Sequence, residues 1–188
     1  LNKFILRPHY KALRDSICQA QKMTWSKQAL ALIKDSNLYK DSESIFSFIS
    51  FGSEISSLEL IEEILKSGKT LLVPKILKGE DIMIPVQIEK LSSLKKGCFG
   101  ILEPSSNTPY TLPIDLTLVP GLLFNKKGYR IGYGKGYYDK FLKTNKTRSL
   151  GLCFDFQIED INFEEDHDIA VDYICTDKAI YKIGGYYE

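Results

Sequence analysis

Two hydrophobic textures alternate along the chain. Near the start, YKALRDSICQAQK (10–22) sets Leu13, Ile17 and Ala20 at helical spacing, and Pro8 suits a first helical turn. A second helix is expected from Ser26, with its body over 28–33. IFSFISF (45–51) then gathers aromatic and branched residues without the helical period and reads as a buried strand. SSLELIEEILKSG (56–68) returns to helical spacing: Ser57 is a candidate N-cap, Leu60, Ile61, Ile64 and Leu65 share one face, and Gly68 is the stop. TLLVPKI (70–76) is a second strand. Strand, helix and strand within about thirty residues make a βαβ unit. Such a unit implies a parallel sheet covered by helices, the α/β class.

Further on, DIMIPV (81–86), IDLTLVP (114–120), RSLGLCFDF (148–156) and DYICT (172–176) read as strands, and YYDKFLK (137–143) resumes a helical pattern. Residues 91–109 look like connection with turn residues. There is no internal repeat and no low-complexity linker, so the 188 residues are expected to form one domain over 1–188, with ends 1–7 and 182–188 loose.

Composition narrows the function classes. With 44% hydrophobic and 26% charged residues, the chain matches an ordinary soluble globular protein. Twenty-five basic and 24 acidic residues leave a net charge of +1, too small an excess for a binder that works by neutralising nucleic-acid phosphates. Any anion site must be local, and no nucleic-acid partner is expected. No apolar run reaches membrane-spanning length, and Arg7, His9 and Lys11 interrupt the start where a secretory segment would need apolar continuity. Cys18, Cys98, Cys153 and Cys175 lie far apart without CxxC spacing, which suits buried thiols in a reducing compartment. Only His9 and His167 could supply imidazole to a zinc site. The expectation is a cytoplasmic protein without a membrane partner, and a monomer.

The candidate chemistry concentrates in GYRIGYGKGYYDKF (128–141). Five of the 13 glycines (Gly121, Gly128, Gly132, Gly134 and Gly136) fall between 121 and 136, after a buried strand and before a helix. Ligands of open α/β sheets sit beyond the carboxyl ends of strands. Bare N–H groups leading into a helix N-terminus make an anion site there. Arg130 and Lys135 would add charge against phosphate oxygens, and Asp139 beside them suggests a magnesium ligand. The Walker A pattern is absent, and GYGKG reproduces only the first half of GxGxxG. On these residues alone, a phosphate cradle, a stacking platform for single-stranded nucleic acid and a glycine-rich hairpin all stay open.

A longer pattern separates them. PGLLFNKKGYRIGYGKGYYDKFL (120–142) resembles the signature of the 5-formyltetrahydrofolate cyclo-ligase (methenyltetrahydrofolate synthetase) family, PG-x-x-F-D-x-x-G-x-R-L-G-x-G-x-G-Y-Y-D-x-x-L, departing at Asn125 and Ile131. KALR (11–14) resembles the family's N-terminal Lys-x-(x)-Leu-Arg element, and SEI (53–55) its folate contact. GCFGILEP (97–104) resembles its G-x-aromatic-G-I-x-E-P segment, and HDIAVDYICT (167–176) its H-D-x-P-x-D-x-I-x-T ending, with Ala170 for the proline. The resemblance runs from about Lys11 to Thr176.

It implies a three-layer α/β/α sandwich with a mostly parallel central sheet. It also implies cyclisation of 5-formyltetrahydrofolate to 5,10-methenyltetrahydrofolate with ATP and magnesium, through phosphorylation of the formyl oxygen. Carried over by residue, Lys11, Arg14 and the stretch Arg130, Ile131, Gly132, Tyr133, Gly134, Lys135, Gly136, Tyr137 and Tyr138 match the ATP site, with Arg130 and Lys135 as the catalytic cations. Ile49, Glu54 and Phe99 match the folate side, which Tyr133, Gly134, Lys135, Gly136 and Tyr137 also border. Asp139 and Asp172 match the magnesium ligands.

Overall fold

The computed structural model describes residues 2–77, 79–97 and 100–184. Phe99 and the tail 185–188 lie outside them. The chain opens with helices α1 (Lys3–Ser16), α2 (Gln19–Asp35) and α3 (Asn37–Lys40), followed by strand β1 (Ser44–Phe46), helix α4 (Leu58–Lys66) and strands β2 (Thr70–Leu77) and β3 (Ile82–Ile88). Next come β4 (Leu94–Lys96), β5 (Leu102–Pro104), β6 (Leu116–Pro120), β7 (Leu123–Asn125), β8 (Arg130–Ile131), helix α5 (Tyr137–Thr144) and β9 (Arg148–Leu152). The last strands are β10 (Ile158–Glu159), β11 (Tyr173–Cys175) and β12 (Ile180–Lys182).

A seven-stranded sheet in the order β12-β11-β9-β6-β1-β2-β3 forms the centre. Its inner pairs are parallel, and the edge pairs β2–β3 and β11–β12 are antiparallel. Side-chain alternation assigns the two faces. Ile45, Leu71, Leu118 and Leu150 point toward α2 and α4, where they bury Ile33, Leu60, Ile61 and Ile64. Phe46 and Leu72 point the other way, onto Phe141 of α5. Helices therefore cover both faces, and the layered α/β expectation holds.

Several boundaries differ from the sequence reading. Asn2 caps α1 by accepting the Phe4 N–H at 2.8 Å, so the helix starts at Lys3 and residues 3–7 are ordered helix. The expected helix over 10–22 breaks at Ile17–Cys18, both extended; Ser16 Oγ donates back to the Leu13 carbonyl at 2.7 Å and competes with the helical pattern. Of the strand expected over 45–51, only Ser44–Phe46 is paired, extended by the Ser47 N–H onto the Leu72 carbonyl at 2.9 Å. Beyond it the chain leaves the sheet and becomes a wall of the site. Ser57 occupies the N-cap position of α4 but donates its hydroxyl to the Phe48 carbonyl at 2.8 Å, locking that departing segment instead of the helix. Residues 91–109 contain the β4–β5 hairpin. Lys182 pairs with Tyr173, so the ordered chain runs further than expected at that end too. Cys153 and Cys175 are buried, whereas Cys18 is exposed. Among the described residues no helix is long and apolar enough to cross a membrane.

Candidate active site

A cleft of about 1080 Å3 opens beyond the carboxyl ends of the central strands. One wall is the segment after β1, with Ile49, Phe51 and Glu54. The apolar floor comes from Pro74 and Ile76 of β2 and Met83 of β3. The opposite wall is the glycine-rich loop, from Arg130 through Lys140. The amino end of α1 and residues 165–168 complete the rim.

Close packing fixes the loop. The β7–β8 hairpin docks through Phe124, whose ring lies between Gly121 and Gly151; a Cβ at either glycine would come within 2.5 Å of that ring. Bare backbone at both positions lets the hairpin approach β9. Arg130, at its end, is buried and pairs with Asp139 Oδ1 at 3.0 Å, donates to the Ile169 carbonyl at 2.9 Å and lies over the Tyr138 ring. Asp139 Oδ1 also accepts the Ile169 N–H at 3.0 Å, so hairpin, helix and the 165–171 loop close on one ion pair. Gly136 caps α5 with φ +66°, a left-handed conformation that favours glycine. Arg7 Nε donates to the Gly132 carbonyl at 3.0 Å and brings its guanidinium against Gly134.

The structure sorts the sequence-predicted residues. Ile49, Glu54, Arg130 and the whole stretch 131–139 line the cleft, with Lys135 exposed on the loop. Three of the expected residues do not line the cleft. Lys11 is on the surface in an i,i+4 ion pair with Asp15 at 2.6 Å, away from the cleft. Arg14 is 2% exposed and lies behind the cleft wall. Asp172 accepts from the N–H and hydroxyl of Ser149 at 2.8 and 2.7 Å, at the amino ends of β9 and β11. It lines a separate shallow pocket. Phe99 is outside the described residues.

In their place the cleft holds Lys3, Arg7 and Asp168. Lys3 bonds Asp168 Oδ2 at 2.5 Å, and Asp168 also caps the turn by accepting the Glu165 N–H at 2.8 Å. The signals were present: KFILR (3–7) also satisfies Lys-x-x-Leu-Arg, and Asp168 precedes Asp172 in HDIAVD. Lys3, Arg7 and Arg14 share one helical face, which turns toward the cleft wall; Lys11 projects to its side.

Burial sets the electrostatics. It pulls the Arg130 guanidinium down, opposed by Asp139, Tyr138 and Asp168. It raises the hydroxyls of Tyr133 and Tyr138, and in both the Glu54 charge adds to the rise. The Glu54 carboxyl is pushed up to about 7, chiefly by burial, against the Phe51 N–H, the Arg14 charge and a hydrogen bond from Tyr133. A carboxyl raised on folding is stabilising while protonated, and that contribution is lost as pH rises through about 7. Above that, holding the charge costs the fold on the order of 2 kcal/mol after allowance for its partial exposure. Glu54→Gln is therefore expected to raise the melting temperature near about pH 8 by about 4–8 °C. The gain should vanish below about pH 4.5, and calorimetry at the two pH values checks the sign.

Asp139 and Asp168 are both on the cleft, and both act on the Arg130 charge. Among the described residues no three His, Cys, Asp or Glu side chains gather as a metal cage. Magnesium does not need one: it takes one or two carboxylates and fills its shell with water and phosphate oxygens. The hard oxygen donors of Asp139 and Asp168 fit that ion.

Along nearly its whole length the chain is similar to one family of known proteins. The family model described as the 5-formyltetrahydrofolate cyclo-ligase family matches residues 2–177. The Mus musculus 5-formyltetrahydrofolate cyclo-ligase is 32% identical over 157 residues, covering 76% of this chain and 77% of the mouse protein. A probable 5-formyltetrahydrofolate cyclo-ligase of Caenorhabditis elegans is 29% identical, covering 81% and 82%. The NMR structure of Aquifex aeolicus 5,10-methenyltetrahydrofolate synthetase superposes with a TM-score of 0.87 at 27% identity, over 100% of this chain and 96% of that one. With a family match over nearly its whole length, the chain belongs to the 5-formyltetrahydrofolate cyclo-ligase family.

Proposed function

We propose that the cleft closes 5-formyltetrahydrofolate to 5,10-methenyltetrahydrofolate, driven by ATP. The observation that carries this reading is the cleft's two-part character within one cavity. A glycine-lined half bears Lys3, Arg7, Lys135 and the carboxylates Asp139 and Asp168; an apolar half bears Ile49, Met83 and Glu54, and the further lining carboxylates Glu103 and Glu165 are paired with Lys75 and Lys3. A triphosphate suits the first half and a flat pteridine with a few polar anchors suits the second. One cavity lets the two substrates touch.

The formyl oxygen attacks the γ-phosphorus, the bond to the ADP oxygen breaks, and ADP leaves. N10 then attacks the activated carbon and loses its proton, while phosphate departs with the electrons of the C–O bond. Charge on the transferring phosphoryl group is met by Lys135, Arg7 and the N–H groups at the start of α5. Arg130 acts differently from the sequence expectation: its guanidinium is committed to Asp139 and Ile169 and fixes the loop's shape. Magnesium, held by Asp139 and Asp168, would supply positive charge beside the phosphates. Glu54 presents an acceptor to the amide and amino N–H groups of the pteridine edge, and Phe51 and Tyr133, ring centroids 5.3 Å apart, wall that side.

The test mixes the purified chain with 5-formyltetrahydrofolate, ATP and magnesium and follows the absorbance of the methenyl product. Product should appear only in the complete mixture. Product that forms equally well without ATP, or none in the complete mixture, would overturn the reading.

A further inference from the structure

Arg14 is among the largest fully buried side chains, yet among the described residues no carboxylate bonds it directly. Nε donates to Ser53 Oγ at 3.1 Å, one terminal nitrogen to the Gly121 carbonyl at 3.4 Å, and the other to the Tyr133 hydroxyl at 2.6 Å. Its acidic neighbour, Asp15, is reached through Ser53, whose hydroxyl donates to it, while Lys11 holds the far carboxylate oxygen. A buried guanidinium held by neutral acceptors is a poor device for stability, since an apolar side chain of similar volume avoids its desolvation. It does tie together three segments: the β1–α4 loop, the end of β6 and the glycine-rich loop.

The direction of the bonds matters. Because the Tyr133 oxygen accepts from Arg14, its own proton is free for Glu54, which lies beside it on the cleft and whose charged form Tyr133 favours. We propose that Arg14 is a positioning residue for the folate side of the cleft, holding the Tyr133 hydroxyl and the Glu54 carboxylate in one row so that Glu54 meets the substrate as an acceptor. This rests on the folate reading of Glu54 given above.

The groups that bear on Glu54 are few. Arg14 faces it from α1, Tyr133 from the glycine-rich loop, Tyr138 from α5, and the Phe51 N–H from its own loop. Of the side chains, Arg14 and Tyr133 favour the charged form. Removing Arg14 deletes a charge and releases the Tyr133 hydroxyl from its orientation, and both changes favour the protonated carboxyl.

The test is a 13C carboxyl NMR titration of Glu54 in the full chain, with 5-formyltetrahydrofolate binding measured by calorimetry at about pH 7 and about pH 9. Arg14→Met should move the Glu54 midpoint up by about one pH unit, weaken binding about fivefold at the lower pH and recover most of it at the higher. Arg14→Lys should keep the wild-type midpoint, and Tyr133→Phe should move it upward by less. If Arg14→Met does not fold, an upward shift in Tyr133→Phe supports the arrangement and an unmoved midpoint overturns it. A folded Arg14→Met protein with an unchanged midpoint overturns the proposal, as does a binding loss equal at both pH values. Wild-type protein that binds no folate, while its Glu54 midpoint still responds to Arg14→Met, would sink the folate reading and leave the Arg14–Glu54 coupling standing.

Discussion

Replacing Asp139 with asparagine is expected to lower turnover by on the order of 10²–10³-fold. Its carboxylate balances the buried Arg130 guanidinium at 3.0 Å and accepts the Ile169 N–H. Asparagine keeps an accepting oxygen for both donors but loses the charge that balances Arg130 and that would hold the proposed magnesium ion. The fold should weaken by about 2 kcal/mol, the scale of a charge-assisted hydrogen bond reduced to a neutral one, and melt about 4–8 °C lower. The loss of turnover should exceed what that weakening explains, and the magnesium concentration needed for half-maximal rate should rise. Asp168→Asn should share the magnesium effect. Asp172→Asn should not: its partners are Ser149 atoms at the far ends of the strands, so it should soften the fold and leave the rate within about twofold. Steady-state rates across a magnesium series, with melting curves for each variant, separate these outcomes.

Lys135→Ala is the second large effect. Lys135 stands exposed between Gly134 and Gly136 and takes part in none of the ion pairs formed among the described residues. Removing it should change stability by less than about 0.5 kcal/mol. Against a transferring phosphoryl group, loss of a positioned cation lowers the rate by on the order of 10²-fold or more. Arginine at the same position should restore part of the loss; its charge is retained but its reach and shape differ. A drop in rate with unchanged melting would tie this side chain to the ligand. A parallel loss of melting temperature would mean that it serves the fold.

The glycine-rich loop was legible because backbone requirements dictate residue type. Gly136 at φ +66° and Gly121 and Gly151 against the Phe124 ring cannot carry an ordinary side chain without strain or collision, so the demand is visible in one sequence. The βαβ core was legible for a similar reason, since buried faces enforce periodicity. The cations of α1 were not. Lys3, Arg7, Lys11 and Arg14 all sit on one helix, and two successive stretches satisfy the same pattern. Which pair reaches the cleft depends on where Asn2 starts the helix and on contacts with Gly132 and Asp168, which lie more than a hundred residues away. The burial of Arg14 behind the cleft wall was not legible, because burial of a charge is settled by tertiary partners. The choice between Asp168 and Asp172 likewise turns on a loop path, with three residues separating a cleft carboxylate from one at the opposite ends of the strands.

The central claim is that the γ-phosphoryl group of ATP is transferred to the formyl oxygen of the folate. The most direct measurement uses 5-formyltetrahydrofolate carrying 18O in its formyl group, with unlabelled ATP and water, and reads the released phosphate by 31P NMR or mass spectrometry. The account predicts one 18O atom in each phosphate released with the methenyl product. Phosphate that carries no label while product accumulates would mean that ATP is hydrolysed apart from the substrate oxygen, and would contradict it.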